Sequence, residues 1–329
     1  MTKIKKSILI LTFILSLTSC KENKEVVNND KKVEIENPSP KPISRSIDIK
    51  STSFASDVLL DYMKEQDNFS YNPNFTYNYD DLIKGNFDIA VVPAILAPSI
   101  YNSTNAGVKI SAISLINNLY AASDSEINSP KDLYGKTLLM RDMGEEYKKA
   151  IDSKLKIFKG ILGINIEYYK DLNDLEKILG GDKSYLAIVS DPILTSLSKR
   201  EGIITYKLSD IMPFLSNESE ELETDLISEV ILVNNKYLRD NKKTVDKFLD
   251  DYKLATKEVK ENTNILPSLI NKYGLSESEI ANIYESLETV YIDGDTMKAM
   301  FNIYLDGLDK LRLNIYSDNR PSDDFYYTR

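Results

Sequence analysis

The chain has 329 residues, 42% of them hydrophobic and 28% charged, with a formal net charge of −10. That is enough for two domains with a sizeable core, and the acidic balance excludes the basic surface that nucleic-acid binding demands. It holds no His, no Trp and one Cys, which excludes a Ser-His-Asp triad, most zinc sites, an internal disulfide and any Cys-cluster metal centre.

The N-terminus accounts for the lone Cys. Lys3, Lys5 and Lys6 precede an apolar run from Ser7 to Leu17, too short for an ordinary membrane span but suited to a signal peptide. The run ends "LTSC" and resembles a bacterial lipobox, which implies diacylation at Cys20 and a mature protein held outside the cytoplasmic membrane. An ordinary cleaved signal and an uncleaved anchor are the competing readings. Residues 21–45 are polar, end in "NPSPKP" and show no apolar period, so they read as a tether with a typical reach of about 25–30 Å.

From Ser46 onward, strand and helix patterns alternate. Ile47 and Ile49 mark a strand, Ser51-Thr52-Ser53 a polar turn, and Phe54, Val58, Leu59, Tyr62 and Met63 recur at helical spacing. Phe75–Asn78 reads as a strand and Asp80–Lys84 as a short helix stopped by Gly85. Ile89–Val92 reads as a strand buried on both faces. Pro93 cannot donate to a ladder, so it ends that strand and opens a helix over Ala94–Tyr101. A further strand covers Val108–Ile113. The succession predicts a largely parallel sheet.

The rhythm restarts after Asp124. Ser129-Pro130-Lys131-Asp132 carries a helix-start signal. Thr137–Met140 is a strand, and Tyr147, Ile151, Leu155 and Phe158 share one helix face. Asn165–Tyr169 is a strand, Leu172–Leu179 a helix and Tyr185–Val189 a strand, followed by Asp191-Pro192 and another helix. "DIAVVPAILAPSI" and "YLAIVSDPILTSL" share one plan, each the third strand of its half, so the chain reads as two similar α/β lobes. After Glu223, Val230–Val233 is a strand. A long helix carries Val245, Phe248, Leu249, Tyr252 and Val259, and Ser276 with Glu279 forms a capping box. The stripe Met297, Met300, Phe301, Tyr304, Leu305 and Leu308 reads as packing, not a cofactor box.

Taken in order, "KGNFDIAVVPAILAPSIYN", "NSPKDLYGKTLL", "LVNNKYLRDNKKTVDKFLDDYK", "VYIDGDTMKAM" and "PSDDFYYTR" resemble the lipid-anchored substrate-binding proteins of ABC importers, the group that includes nitrate, sulfonate, taurine and thiamine-pyrimidine binders. The resemblance implies a two-lobed α/β fold of the type II periplasmic-binding-protein kind. Lobe one would cover 46–123 and 229–329 and lobe two 124–228, hinged near Leu119–Ser123 and near Glu229. It implies a small organic or anionic solute held between the lobes, an ABC permease as partner, a membrane contact through the lipid anchor, a monomer, no cofactor or metal, and no enzymatic activity. The acidic pairs Asp80-Asp81 and Glu145-Glu146 read as solvated helix starts, since adjacent carboxylates diverge on a helix.

Candidate ligand-binding residues lie where strands end. They are Ser51, Thr52 and Ser53 after the first strand, Pro93, Ala94 and Ile95 at the third, and Asn117 and Asn118 beside the hinge. The second lobe adds Arg141 and Asp142 at its first corner and Asp191 before Pro192. Each has a plainer reading as a cap, a loop polar group or a surface ion pair. Family members often carry a Gly- and Thr-rich loop where this chain has "RDMGEEYKKA", in which only Gly144 remains. That departure leaves open a lipoprotein that keeps the fold for interaction or sensing while its solute site has degenerated.

Overall fold

The structure, a computed structural model, describes residues 47–65, 71–75, 79–211, 227–261, 267–310, 316 and 319–329. The signal segment with Cys20 and the tether over 21–45 lie outside the described residues.

The first lobe begins with β1 (Ile47–Ser51), α1 (Phe54–Glu65), β2 (Tyr71–Phe75), α2 (Tyr79–Leu82) and β3 (Ile89–Pro93). A single helical turn over Ala94–Leu96 leads into α3 (Ala97–Ser103) and then β4 (Val108–Ile116). The second lobe holds β5 (Tyr120–Ser123), β6 (Thr137–Arg141), α4 (Glu145–Leu162), β7 (Asn165–Tyr169), α5 (Leu172–Leu179), β8 (Tyr185–Val189), α6 (Ile193–Leu197), β9 (Ile204–Lys207) and α7 (Leu208–Ile211). The chain then returns to the first lobe as β10 (Ile227–Asn234), α8 (Asn235–Asp240), α9 (Lys242–Glu261), α10 (Pro267–Tyr273), α11 (Glu277–Ser286), β11 (Thr289–Ile292) and α12 (Gly294–Lys310).

The two sheets share one plan. The first runs β2-β1-β3-β10-β4-β11 and the second β7-β6-β8-β5-β9. In each, three parallel strands come first, and then a strand that has just crossed from the other lobe is inserted antiparallel. These inserted strands are β10 against β3 and β4, and β5 against β8 and β9. The expectation of a largely parallel sheet is corrected to this extent: a strand arriving from the opposite lobe enters from the opposite end and must run the other way. Tyr120–Ser123, within the segment expected as a hinge near Leu119–Ser123, pairs as β5 in the second sheet. Asn117–Leu119 joins β4 to β5 as the crossing between the two sheets.

Local chemistry explains the elements. Ile89, Ala90, Val91 and Val92 are fully enclosed, as a strand with both faces covered requires. β2 lies at Tyr71–Phe75 rather than Phe75–Asn78, and residues 76–78 lie outside the described residues. Pro73 is tolerated there because, among the described residues, β2 is an edge strand paired with β1 alone. Glu279 accepts from the Ser276 backbone N–H at 2.7 Å and completes the expected capping box at the start of α11.

One face of the first sheet packs on α1 and α9 through Leu59, Leu60, Phe248 and Tyr252. The other packs on α3 and α12 through Ile100, Ile110, Phe301 and Leu305, and this cluster continues into Leu138, Met143, Tyr147, Ile151 and Leu155 of the second lobe. Fully enclosed side chains of this size each contribute roughly 1.5–3 kcal/mol. The C-terminal tail closes the same face: Tyr327 donates its N–H to the Ile110 carbonyl at 2.8 Å, and Phe325 packs edge-on against Tyr101.

Candidate functional site

A cavity of about 240 Å³ lies between the two sheets. The first lobe contributes Thr52 and Ser53 from the β1–α1 corner, Pro93 and Ile95 from the end of β3, Ser228 and Glu229 from β10, and Tyr304 and Leu308 from α12. The second contributes Met140 and Arg141 at the end of β6, a stripe of α4 (Tyr147, Ile151, Lys154, Leu155), Tyr169, and Ser190 just after β8. Asn118 and Leu119 of the crossing close one side.

Six of the eleven candidate residues therefore meet at the cavity: Thr52, Ser53, Pro93, Ile95, Asn118 and Arg141. The other five do not line it. Ser51 is buried behind the corner, sharing a 2.6 Å hydrogen bond with Ser56. Ala94 is enclosed in the core. Asn117, held at positive φ, turns outward and donates to Glu288 at 3.0 Å. Asp142 pairs with Lys148 at 2.9 Å and accepts from the Gly144 N–H at 3.0 Å. Asp191 accepts from the Thr195 hydroxyl at 2.6 Å and its N–H at 3.2 Å; burial pushes its carboxyl up.

The corner residues that reach the cavity are tightly held. Thr52 donates its hydroxyl to the Val91 carbonyl at 3.0 Å, tying the first corner to β3. Ser53 accepts from the Ser56 N–H at 3.1 Å, fixing the entry to α1. The Asn118 N–H donates to Ser228 Oγ at 2.9 Å, which joins the crossing to β10.

Sequence reasoning missed Glu229 as a site residue. It stands in the apolar strand "ISEVILVN", opposite Pro93 and beside Leu115, with a register shift on either side of it. A bulge of this kind re-aims a side chain, and bulges gather next to sites. Glu229 is 4% exposed, and its carboxyl is pushed up to about 7 by burial, opposed by a hydrogen bond from Ser53. An acid inside a buried strand was the signal available in the sequence. The sequence points to packing for Tyr304 and to one helix face shared with Ile151 and Leu155 for Tyr147. Both tyrosines serve the core and the cavity wall together, and burial pushes both phenols up.

The lobes also touch across the mouth. Tyr79 donates its N–H to the Met143 carbonyl at 2.8 Å, and the Tyr79 and Tyr147 rings meet edge-on with centroids 6.4 Å apart. Asp80 accepts from the N–H groups of Glu145 and Glu146, each at 3.3 Å, and so caps α4 from the opposite lobe. Asp80 stands in the first turn of α2, as expected, and makes this contact in addition. Glu145 and Glu146 do stand at an exposed helix start, paired with Lys148 and Lys149. On another side, Lys199 of the second lobe pairs with Glu279 of the first. Among the described residues no cluster of metal-ligating side chains occurs, and no helix is long and apolar enough to cross a membrane.

Two sheets of one strand order, joined by crossings and closing on a cavity, define the two-lobed fold of periplasmic binding proteins. Solved structures bear this out. An ABC transporter protein from Parabacteroides distasonis matches with TM-score 0.58 and 14% identity, over 86% of this chain and 99% of the other. The alkanesulfonate-binding protein SsuA from Xanthomonas axonopodis pv. citri, bound to MOPS, matches with TM-score 0.57 and 13% identity, over 82% and 93%. The ligand-binding component of an ABC-type import system from Staphylococcus aureus, with zinc bound, matches with TM-score 0.58 and 15% identity, over 86% and 96%. No family model matches the chain, and no curated protein matches it in sequence.

Proposed function

We propose that this protein is the solute-binding component of an ABC importer, tethered outside the cytoplasmic membrane through a lipid on Cys20 and acting as a monomer beside its permease. The observation that carries this reading is the cavity itself. Strand ends from both sheets converge on it: Thr52, Ser53, Pro93 and Ile95 from one side, Arg141 and Ser190 from the other. Open α/β sheets hold ligands at such strand ends, and closure of two lobes about a hinge gives a permease two shapes to tell apart. The solved neighbours, named as ABC-transporter and sulfonate-binding proteins, support the same role. Nothing in this reading asks for catalysis.

A ligand that binds only the folded, closed form raises the melting temperature by mass action. A thermal-shift screen of purified, ligand-free protein against sulfonates, nitrate, pyrimidines, amino acids, amines and short peptides tests the proposal. A saturable shift with one chemical class is expected; no shift with any class overturns solute capture.

A second reading has one specific observation behind it. The N-terminus of α4 is already filled by Asp80, which favours a lipoprotein that keeps the fold for surface interaction or sensing. A flat screen would leave that reading standing alone.

A further inference from the structure

We infer that the solute, on the reading just proposed, has an apolar body and a nitrogen head group that donates hydrogen bonds to Glu229. Three observations carry this. The wall of the cavity is chiefly apolar: Leu138, Met140, Tyr147, Ile151, Leu155 and Leu308 form much of it. Such a surface gains nothing from a strongly hydrated ion and gains from an aromatic or aliphatic body.

The N-terminus of α4, the longest helix bordering the cavity, gives the cavity no anion seat: it is taken by the carboxylate of Asp80, and Gly144, Glu145 and Glu146 do not line the cavity. Two further acids, Glu145 and Glu146, stand in its first turn, paired with Lys148 and Lys149. Of the lining cations, Arg141 and Lys154 each interact with other groups of the chain, while Arg141 Nε is itself a buried donor without a hydrogen-bond partner.

Glu229 is the one carboxyl lining the cavity among the described residues, and its Oε2 is buried without a hydrogen-bond partner. A buried acceptor left unmatched is costly, and this one stands at the cavity wall, where a ligand can match it. The flanking register shifts show that β10 departs from regular pairing just where Glu229 stands. Ser53 bonds to the carboxyl, and Tyr252 of α9 lies near enough behind to feel its charge. An amine or amino-heterocycle supplies the donor these groups leave wanting, and its apolar remainder fills the space toward α4 and α12.

Phenethylamine, phenethyl alcohol and phenethylsulfonate share one body and differ in the head, so they separate the outcomes. Titration of the purified protein by calorimetry and thermal shift should show the amine binding at least tenfold more tightly than the alcohol, with no saturable signal from the sulfonate. Glu229→Gln should weaken the amine at least tenfold and the alcohol less than threefold, with an unchanged circular dichroism spectrum. If Glu229→Gln fails to fold, Ser53→Ala, which alters the same head pocket from its rim, should weaken the amine about threefold and leave the alcohol unchanged. A saturable signal from the sulfonate alone, or equal binding of amine and alcohol, overturns this inference and leaves solute capture intact. Silence from all three, together with a flat broad screen, overturns both.

Discussion

Tyr79 of the first lobe donates its backbone N–H to the Met143 carbonyl of the second at 2.8 Å. A backbone bond between lobes has no side chain to delete. Its neighbour Asp80 provides the handle, because that carboxylate caps the Glu145 and Glu146 amides in the same contact. Loss of a helix cap costs about 1 kcal/mol, and here the cap is also a lobe-to-lobe tie. Asp80→Ala is therefore expected to lower the melting temperature by about 2 °C and to raise the radius of gyration seen by small-angle scattering. A lower melting temperature with no expansion would show that Asp80 supports α4 without holding the lobes together.

Ile95 is half-buried and lines the cavity, and the chain contains no Trp. Ile95→Trp places the sole indole at the site. Filling the cavity with the larger ring should cost about 1–3 kcal/mol of stability and abolish the ligand-induced thermal shift, while fluorescence emission lies to the blue as in an enclosed site. A full ligand shift retained by this variant would place the solute elsewhere.

The strands most visible in the sequence were those with two covered faces, because only they read as unbroken apolar runs. β3 and β8 are such strands, and Pro93 and Pro192 mark their ends. β2 hid behind Pro73, which an edge position permits. β5 is four residues, "YAAS", and owes its existence to partners on both sides, Leu186–Val189 and Ile204–Lys207. The corners of the site were legible for the same reason as the strands: a turn must follow a buried run. Which corner residue faces the cavity was not legible. Thr52 and Ser53 line it while Ser51, one step earlier, is spent on Ser56. Asp80 and Glu229 acquire their roles from elements 65 and more than 100 residues away, which no local pattern carries.

Glu229 sets a pH dependence whose sign can be worked out. Its carboxyl stands at about 7 in the folded protein against 4.5 for the free side chain, because burial disfavours the charged form. The native state therefore holds a proton between about pH 4.5 and 7 that the unfolded state has lost, and stability falls as pH rises through that window. Each pH unit of displacement is worth about 1.4 kcal/mol. Glu229→Gln should match the parent near pH 4.5 and exceed it by on the order of 2–3 kcal/mol at pH 8, read from denaturant unfolding at both values. An equal gap at the two pH values would show that the carboxyl does not titrate in this range.

The pair of Lys199 and Glu279 gives the opposite sign and a second measure of how the lobes hold together. Lys199, together with the Ser276 hydroxyl and N–H, draws the Glu279 carboxyl down to about 2 from 4.5. A lowered carboxylate stabilises the fold above the unfolded value and loses that contribution as pH falls from about 4.5 toward 2. Gln at this position keeps the acceptor that the capping box needs and removes only the charge that meets Lys199 across the lobes. Glu279→Gln should thus melt below the parent at pH 6, with the gap closing as pH falls toward 2. Because the pair is exposed, about 0.5 M salt should also narrow the gap at pH 6. A gap that persists at high salt would assign the loss to the cap of α11 rather than to a tie between the lobes.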